Sequence, residues 1–547
     1  MTSLLVRIFR PLPRTVTRPL SILALVAWVV TMGVMINRSY LQASSRNLAT
    51  DLARYGTAAQ WRGVYYRGEK IGFTVSQVQA TDGGFELQED GRLQFSLLGA
   101  NTAAILKTTA RVDRAFMLES FDFSLDPGTG PMSIKGQLDG LNLSLEIRTA
   151  AGARTETRQL AEPPALMLSV GRRLASEGLV AGTTKEWIVF DPATMKNAPV
   201  TIAIGAREVV TTGDRRPIPA FKVQMLFSGL TTTSWITDTG EIVREESQMG
   251  LITVLETQEQ ATALAVSNRM QQDMLQASAI VPTMGRGQAI VESRDVKLLR
   301  IRMIGADLAS ADLQGAGQSV NGEVVELTDP RDLRPAVAPA DLDRYLRAEP
   351  FLESDAPEIR AEAEMMVAGI TGVRARAERL TREVNALIEK KPTVSLPSAL
   401  EVLRTKVGDC NEHTALFVAL ARSLGIPSRI NVGLVYVHGA FYYHAWPEVY
   451  LDEGNGRGLW LPVDPTLNQF PADATHVRLA RGGLDQQAAI LPMIGKVKIE
   501  VSEVKTAPNT TPVLVGRLAD DVRPLSIDIP RRQACGCWAS PCSGGGR

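Results

Sequence analysis

Histidine and cysteine are scarce in this chain of 547 residues, and their placement narrows its chemistry. There are four histidines, His413, His438, His444 and His476, and four cysteines. Cys535, Cys537 and Cys542 cluster close to the C-terminus, so Cys410 alone lies in the body and a disulfide framework for the body is excluded. The tail cysteines have no histidine partner and too few ligands for a closed zinc site, and their Gly-rich surroundings read as disordered. Net charge is lacking too. Lys plus Arg and Asp plus Glu number 59 each, which leaves nucleic acid binding without electrostatic support at the level of the whole chain. No repeat of solenoid period is present. Apolar residues are plentiful at 45%, enough to build cores in the two to four domains that this length suggests.

Leu20 to Ile36 is a continuous run without a charge. As a helix it would extend about 25 Å, slightly short of a hydrocarbon core of about 30 Å, and the flanking Pro19 and Asn37 could complete the span. Arg7, Arg10, Arg14 and Arg18 precede it with no acidic residue, and mixed charges follow. The positive-inside rule then puts 1–18 in the cytoplasm, 19–37 across the membrane and the body outside. A cleaved signal peptide is the competing reading. The long basic lead and the lack of a small-x-small site after Ile36 favour an uncleaved anchor.

The expected fold class is α+β: the membrane helix, an antiparallel β-rich domain over about 50–330, then a mixed domain over about 350–500 and an extension over 501–547. Leu141, Leu143, Leu145 and Ile147 alternate onto one face, with Met132 to Leu138 as the hairpin partner. Phe121 to Leu125 alternates as well. Tyr65 to Phe73 reads as a hairpin, Asp82 to Gly84 as a turn, and Arg172 to Glu177 as a helical interruption. This region has no His or Cys and reads as scaffold or binding surface. Pro330 to Pro357 looks like a linker. Val373, Ala377, Leu380, Val384, Leu387 and Ile388 then form one helical stripe, and Ser398 with Glu401 forms a capping box for a short helix to Lys406.

The chemistry concentrates between 409 and 464. Asp409 is an N-cap candidate for an amphipathic helix from Asn411 to Leu424, which Gly425 and Pro427 end. Cys410 therefore sits in the first turn, where the helix dipole and unpaired N–H groups favour a thiolate and could receive an oxyanion. Arg429 to Val437 reads as a strand, His438 to Ala440 as a turn, and Phe441 to Tyr450 as the returning strand. Period two puts Tyr442, His444, Trp446 and Glu448 on one face. Asp452 to Gly458 reads as a long loop, and Leu459 to Val463 as a third strand ending at Asp464. A thiol, an imidazole and a carboxylate, in the order Cys410, His444 and Asp464, are the parts of a cysteine nucleophile machine. Asp409, His413 and Trp446 are possible lining residues. His413 shares a helix face with Cys410 but has no second pair to complete a metal site, and His438 and His476 read as loop residues.

Four blocks carry a resemblance: Gly408-Asp-Cys-Asn-Glu-His413, Ala421-Arg-Ser-Leu-Gly-Ile-Pro-Ser-Arg429, Tyr443-His-Ala-Trp-Pro-Glu-Val449 and Val463-Asp-Pro-Thr466. Together they resemble the papain-like core of the transglutaminase-like superfamily over roughly 350–490. The resemblance implies acyl transfer through a thioester, with Cys410 as nucleophile, His444 as base and acid and Asp464 as orienter, and with no cofactor and no metal. The anchored layout resembles bacterial envelope members of the family, which implies a single-pass inner-membrane protein with a periplasmic body and an envelope protein or peptide as substrate. The superfamily runs several chemistries on one triad. Hydrolysis by a peptidase or amidase is the preferred expectation. Protein crosslinking and a noncatalytic binding or assembly role are the alternatives.

Overall fold

Strand pairing dominates the chain. The structure is a computed structural model that describes residues 58–507 apart from 98–99, 127–130, 150–151, 192–195, 249, 264–278, 306–307, 309–310, 316, 350, 392–397, 483–489, 491–492 and 494. The expected cytoplasmic segment 1–18, the membrane helix 19–37 and the tail cysteines lie outside the described residues. No described helix is long and apolar enough to cross a membrane.

Fifteen strands between Gln60 and Glu256 form one sheet. The first, Gln60–Tyr66, lies between Glu69–Ala80 and Leu251–Glu256 and so joins two antiparallel meanders. Its hairpin turns on Arg67 and Gly68, both at positive φ, the geometry that matches strand twist in two-residue loops. The alternation at 141–147 forms the strand Asn142–Thr149, with Leu143, Leu145 and Ile147 buried. Leu141 departs from that face because Asp139 pairs with Asn142, which leaves Gly140 and Leu141 to make the turn. The helical interruption is real and starts earlier, at Met167–Glu177. The sheet curls until its distant parts meet. Phe121 packs on Phe190 at 5.3 Å between ring centroids, and Gly136 makes room for it, since a Cβ there would lie 2.0 Å from the Phe121 ring.

The strands at 283–328 belong elsewhere. They form a second sheet with Lys498–Thr506, whose Leu299, Ile301, Met303, Val325 and Val501 enter one core with the helices after Pro357. Within the expected linker, Ala336–Val337 pairs with the edge of a third sheet. That sheet holds Arg457–Pro462, Ala440–Gly454, Ser428–Val437 and Val477–Arg481, in that order and all antiparallel.

Helices Pro357–Met366, Val373–Leu387 and Ala399–Thr405 surround a fourth, Cys410–Ser423, whose other side lies on the strands 428–437 and 440–454. This last helix is not amphipathic. Every residue from Glu412 to Arg422 is buried, as expected of a helix enclosed on all sides. Even Arg422 is accommodated, its Nη1 donating to Glu349 and to the Arg347 carbonyl. Phe417, with 0% exposure, lies in the middle of the helix. Phe417→Ala should cost about 3–5 kcal/mol, read as a drop in the denaturant midpoint. A shift under about 1 kcal/mol would mean that the helix is not the centre of this core.

Candidate active site

The start of the 410–423 helix is built by its own side chains. Asp409 Oδ1 accepts from the Asn411 N–H at 2.9 Å, and the Glu412 carboxylate reaches back to the Asp409 N–H at 2.8 Å. This reciprocal capping box satisfies N–H groups the helix leaves unpaired. It also explains Gly408, where a Cβ would lie 2.3 Å from the Glu412 side chain. At the preceding helix only half of the expected box forms: Ser398 accepts from the Glu401 N–H and donates to Glu353. Cys410 opens the capped helix as a half-buried free thiol. The expected thiolate is not favoured there. Burial pushes the Cys410 thiol well up, and the carboxylates of Asp409, Glu412 and Asp464 push the same way, opposed by the Ala445 N–H that donates to its sulfur.

Ala445 follows His444, so the contact brings the thiol to the histidine strand. That strand is longer than expected. Asp452 to Gly458 is not a long loop: the strands run on to Gly454 and from Arg457, and turn on Asn455 and Gly456, both at positive φ. An Asn-Gly pair is the preferred two-residue hairpin turn. Tyr442, His444, Trp446 and Glu448 stand opposite Val435, Gly433, Asn431 and Arg429. His444 Nε2 lies 2.8 Å from Asp464 Oδ2. Asp464 is fully buried. Its Oδ1 accepts from the Leu467 N–H, and its backbone pairs in both directions with Gln469. Asn385, on the 373–387 helix, holds the following turn by donating to the Pro465 and Thr466 carbonyls. Burial opposes the charge on Asp464, but His444 and His476 outweigh it and hold the carboxyl well below its usual range.

His476 is the residue that sequence reading missed. It does lie in a loop, yet it is buried and its Nε2 stands 3.1 Å from the same Asp464 oxygen. Its Nδ1 faces the Asp473 carbonyl at 3.1 Å and Asp473 Oδ1 at 3.3 Å. Gly433 admits it: the strand 477–481 presses so close that a Cβ at 433 would lie 2.0 Å from the Val477 carbonyl oxygen. The available signals were the Asp473 to His476 spacing of three and the crowding of every histidine into this stretch.

Trp446 packs against both imidazoles, stacked on His444 at 6.1 Å and edge-on to His476 at 5.1 Å. His413 hydrogen-bonds locally, its Nδ1–H donating to the Asp409 carbonyl at 2.6 Å, and burial lowers its basicity. His438 occupies the turn, at positive φ. His444, Asp464 and His476 also have the spacing of a metal group, with the relevant atoms within 4.8 Å of one another. Hydrogen bonds already account for that spacing, because both Nε2 atoms address one carboxylate oxygen and His476 Nδ1 is engaged by Asp473.

Behind the site, Glu448 gathers three arginines. Arg429 Nε bonds it at 2.7 Å, Arg478 Nη1 at 3.4 Å, and Arg481 Nε lies 3.7 Å away. Burial opposes the Glu448 charge, and the three guanidiniums bring its carboxyl down to about 2.

Residues 360–465 match the transglutaminase-like superfamily. No curated protein sequence matches the chain. Among solved structures, a provisionally assigned cysteine protease from Cytophaga hutchinsonii is similar over 39% of this chain and 84% of its own, at 18% identity and a TM-score of 0.25. The periplasmic domain of TgpA from Pseudomonas aeruginosa is similar over 33% of this chain and 93% of its own, at 16% identity and 0.21. A β-barrel-like protein from Brucella abortus is similar over 36% of this chain and 96% of its own, at 11% identity and 0.30.

Proposed function

We propose, from the premise that residues 360–465 form a transglutaminase-like domain, that this chain is a cysteine acyl-transfer enzyme. The observation that carries the reading is the 2.8 Å bond from His444 Nε2 to Asp464, with Cys410 held on the N–H of the next residue. An ionised Asp464 requires the proton of His444 on Nε2, which leaves the lone pair on Nδ1. His444 Nδ1 then takes the Cys410 proton as the sulfur attacks an amide carbonyl carbon. The same proton passes to the leaving amine as the C–N bond breaks, leaving a thioester on Cys410. Water then attacks the thioester with His444 taking its proton, the acid departs and the thiol is restored. Water is the default acceptor, so hydrolysis is preferred to crosslinking. We further propose that 19–37 anchors the chain in a bacterial inner membrane, with the body outside and an envelope protein or peptide as substrate.

An activated ester such as p-nitrophenyl acetate tests the chemistry. Peptide mass spectrometry should find the acetyl group on Cys410 ahead of Cys535, Cys537 and Cys542. His444→Ala should slow that step by roughly 10²–10⁴-fold. Equal, slow acylation of all four thiols would end the nucleophile reading. Incorporation of a labelled primary amine into a glutamine-containing protein would move the acceptor from water to amine. An outward reporter fused after Val497 that stays silent would overturn the placement outside the membrane.

A further inference from the structure

We propose that His476 is held as an imidazolium between Asp464 and Asp473 and acts as a positioning residue, neutralising the carboxylate that orients His444 so that His444 stays free to accept the Cys410 proton. The inference rests on the acyl-transfer reading of this site and extends it to a residue beyond the matched segment.

His476 Nε2 faces a carboxylate oxygen, and Nδ1 faces a carbonyl and a second carboxylate. An acceptor on each side requires an N–H on each side, and only the imidazolium has two. The surroundings hold the acceptors in place. Gln469 Nε2 donates to Asp473 Oδ2, and the Thr475 N–H and hydroxyl donate to Oδ1. The groups facing His476 are Asp464, Asp473, the His444 ring at 6.0 Å and the Trp446 edge. Burial works against a charge on His476, but Asp464 and Asp473 outweigh it and raise the imidazole to about 10.

The consequence concerns His444. A buried carboxylate projects its negative field onto a ring bonded to it, here His444. An imidazolium on the same oxygen cancels much of that field while leaving the hydrogen bond that aims the ring. Two carboxylates and two histidines thus divide the work: one imidazole carries charge and the other is aimed by Asp464.

The test compares wild type with His476→Gln, which keeps a neutral donor toward Asp464, and His476→Ala, which keeps none. The reading is the pH dependence of Cys410 acetylation by p-nitrophenyl acetate. In His476→Gln the acid limb should move up by about one pH unit, a loss of about tenfold at pH 6, with the alkaline plateau retained. His476→Ala should show the same shift and a lowered plateau. A purely structural role would lower the plateau and leave the limb in place, and that result overturns the proposal. Should both variants fail to fold, ¹⁵N-histidine NMR of the wild-type protein decides, with four histidines to assign. His476 should carry protons on both ring nitrogens through pH 8, and a single protonated nitrogen at pH 7 overturns it. Activity abolished by a chelator would overturn it as well, since the two Nε2 atoms would then be holding a metal. If Cys410 is not acetylated at all, the acyl-transfer reading fails, while the NMR result still judges the charge on His476.

Discussion

Asp464→Ala should cost the fold about 3–5 kcal/mol and slow Cys410 acylation by about 10⁴-fold, the scale on which an orienting carboxylate matters in a nucleophile–histidine pair. Both effects have one origin. The alanine leaves two buried imidazoles without the oxygen they share and removes the acceptor for the Leu467 N–H. Asp464→Asn separates them. It keeps the volume and an acceptor, so it should recover part of the stability, but it removes the charge that keeps the His444 proton on Nε2. Urea unfolding and the ester burst measure the two quantities. A stability loss under about 1 kcal/mol in the alanine variant would mean that the cluster is not a structural unit. The pH dependence has two sides. The Asp464 and Asp473 carboxyls are depressed on folding, so their stabilisation is complete above about pH 4 and fades as pH falls below it. His476 is raised to about 10, so its stabilisation is complete below about pH 6.5 and is lost as pH rises toward 10. Wild-type stability should therefore decline between about pH 6.5 and 10 by up to about 1.4 kcal/mol per pH unit, and His476→Gln should flatten that decline.

Glu448→Ala should be comparably severe, at about 3–5 kcal/mol, because it removes the buried carboxylate on which three guanidiniums converge, even though Arg481 keeps Asp312 and Arg478 keeps its backbone carbonyls. The loss is not confined to charge. Arg429 comes from the strand 428–437, Glu448 from 440–454, and Arg478 and Arg481 from 477–481, so the network ties together the strand of His444 and the strand that follows His476. Acylation of Cys410 should fall with stability, even though Glu448 touches no reacting atom. The Glu448 carboxyl is depressed to about 2. Its contribution is present above the unfolded value of about 4.3 and is lost as pH falls toward 2. Glu448→Gln should remove that part of the acid sensitivity while keeping the packing. If Glu448→Gln unfolds in acid as the wild type does, the network is not what acid breaks.

The elements around the site were readable because each rests on a local rule. Asp409 as a cap, the turn at His438 and Gly439, and period two along Tyr442 to Glu448 need only neighbours in sequence. Local rules also misled. The glycines of 452–458 suggested a loop, but the Asn455-Gly456 pair is enough to turn the chain and let the strands continue. The apolar spacing from Asn411 to Leu424 suggested an amphipathic helix, yet its polar residues are buried too, Arg422 on Glu349, far away in the sequence. The strands at 283–328 have the same pattern as those before them, and nothing local could say that their partner would be Lys498–Thr506.

The sequence by itself determined the chemistry on offer: one body cysteine at the mouth of a capped helix, a histidine on a strand, an aspartate at a strand end. Residue type and periodicity are enough for that. Only the tertiary structure decided the environments. Burial pushes the Cys410 thiol up where the helix start alone would lower it, and the approach of the strand 477–481 across Gly433 carried a loop histidine onto Asp464. Such effects depend on desolvation and on contacts between distant segments, which no local pattern records.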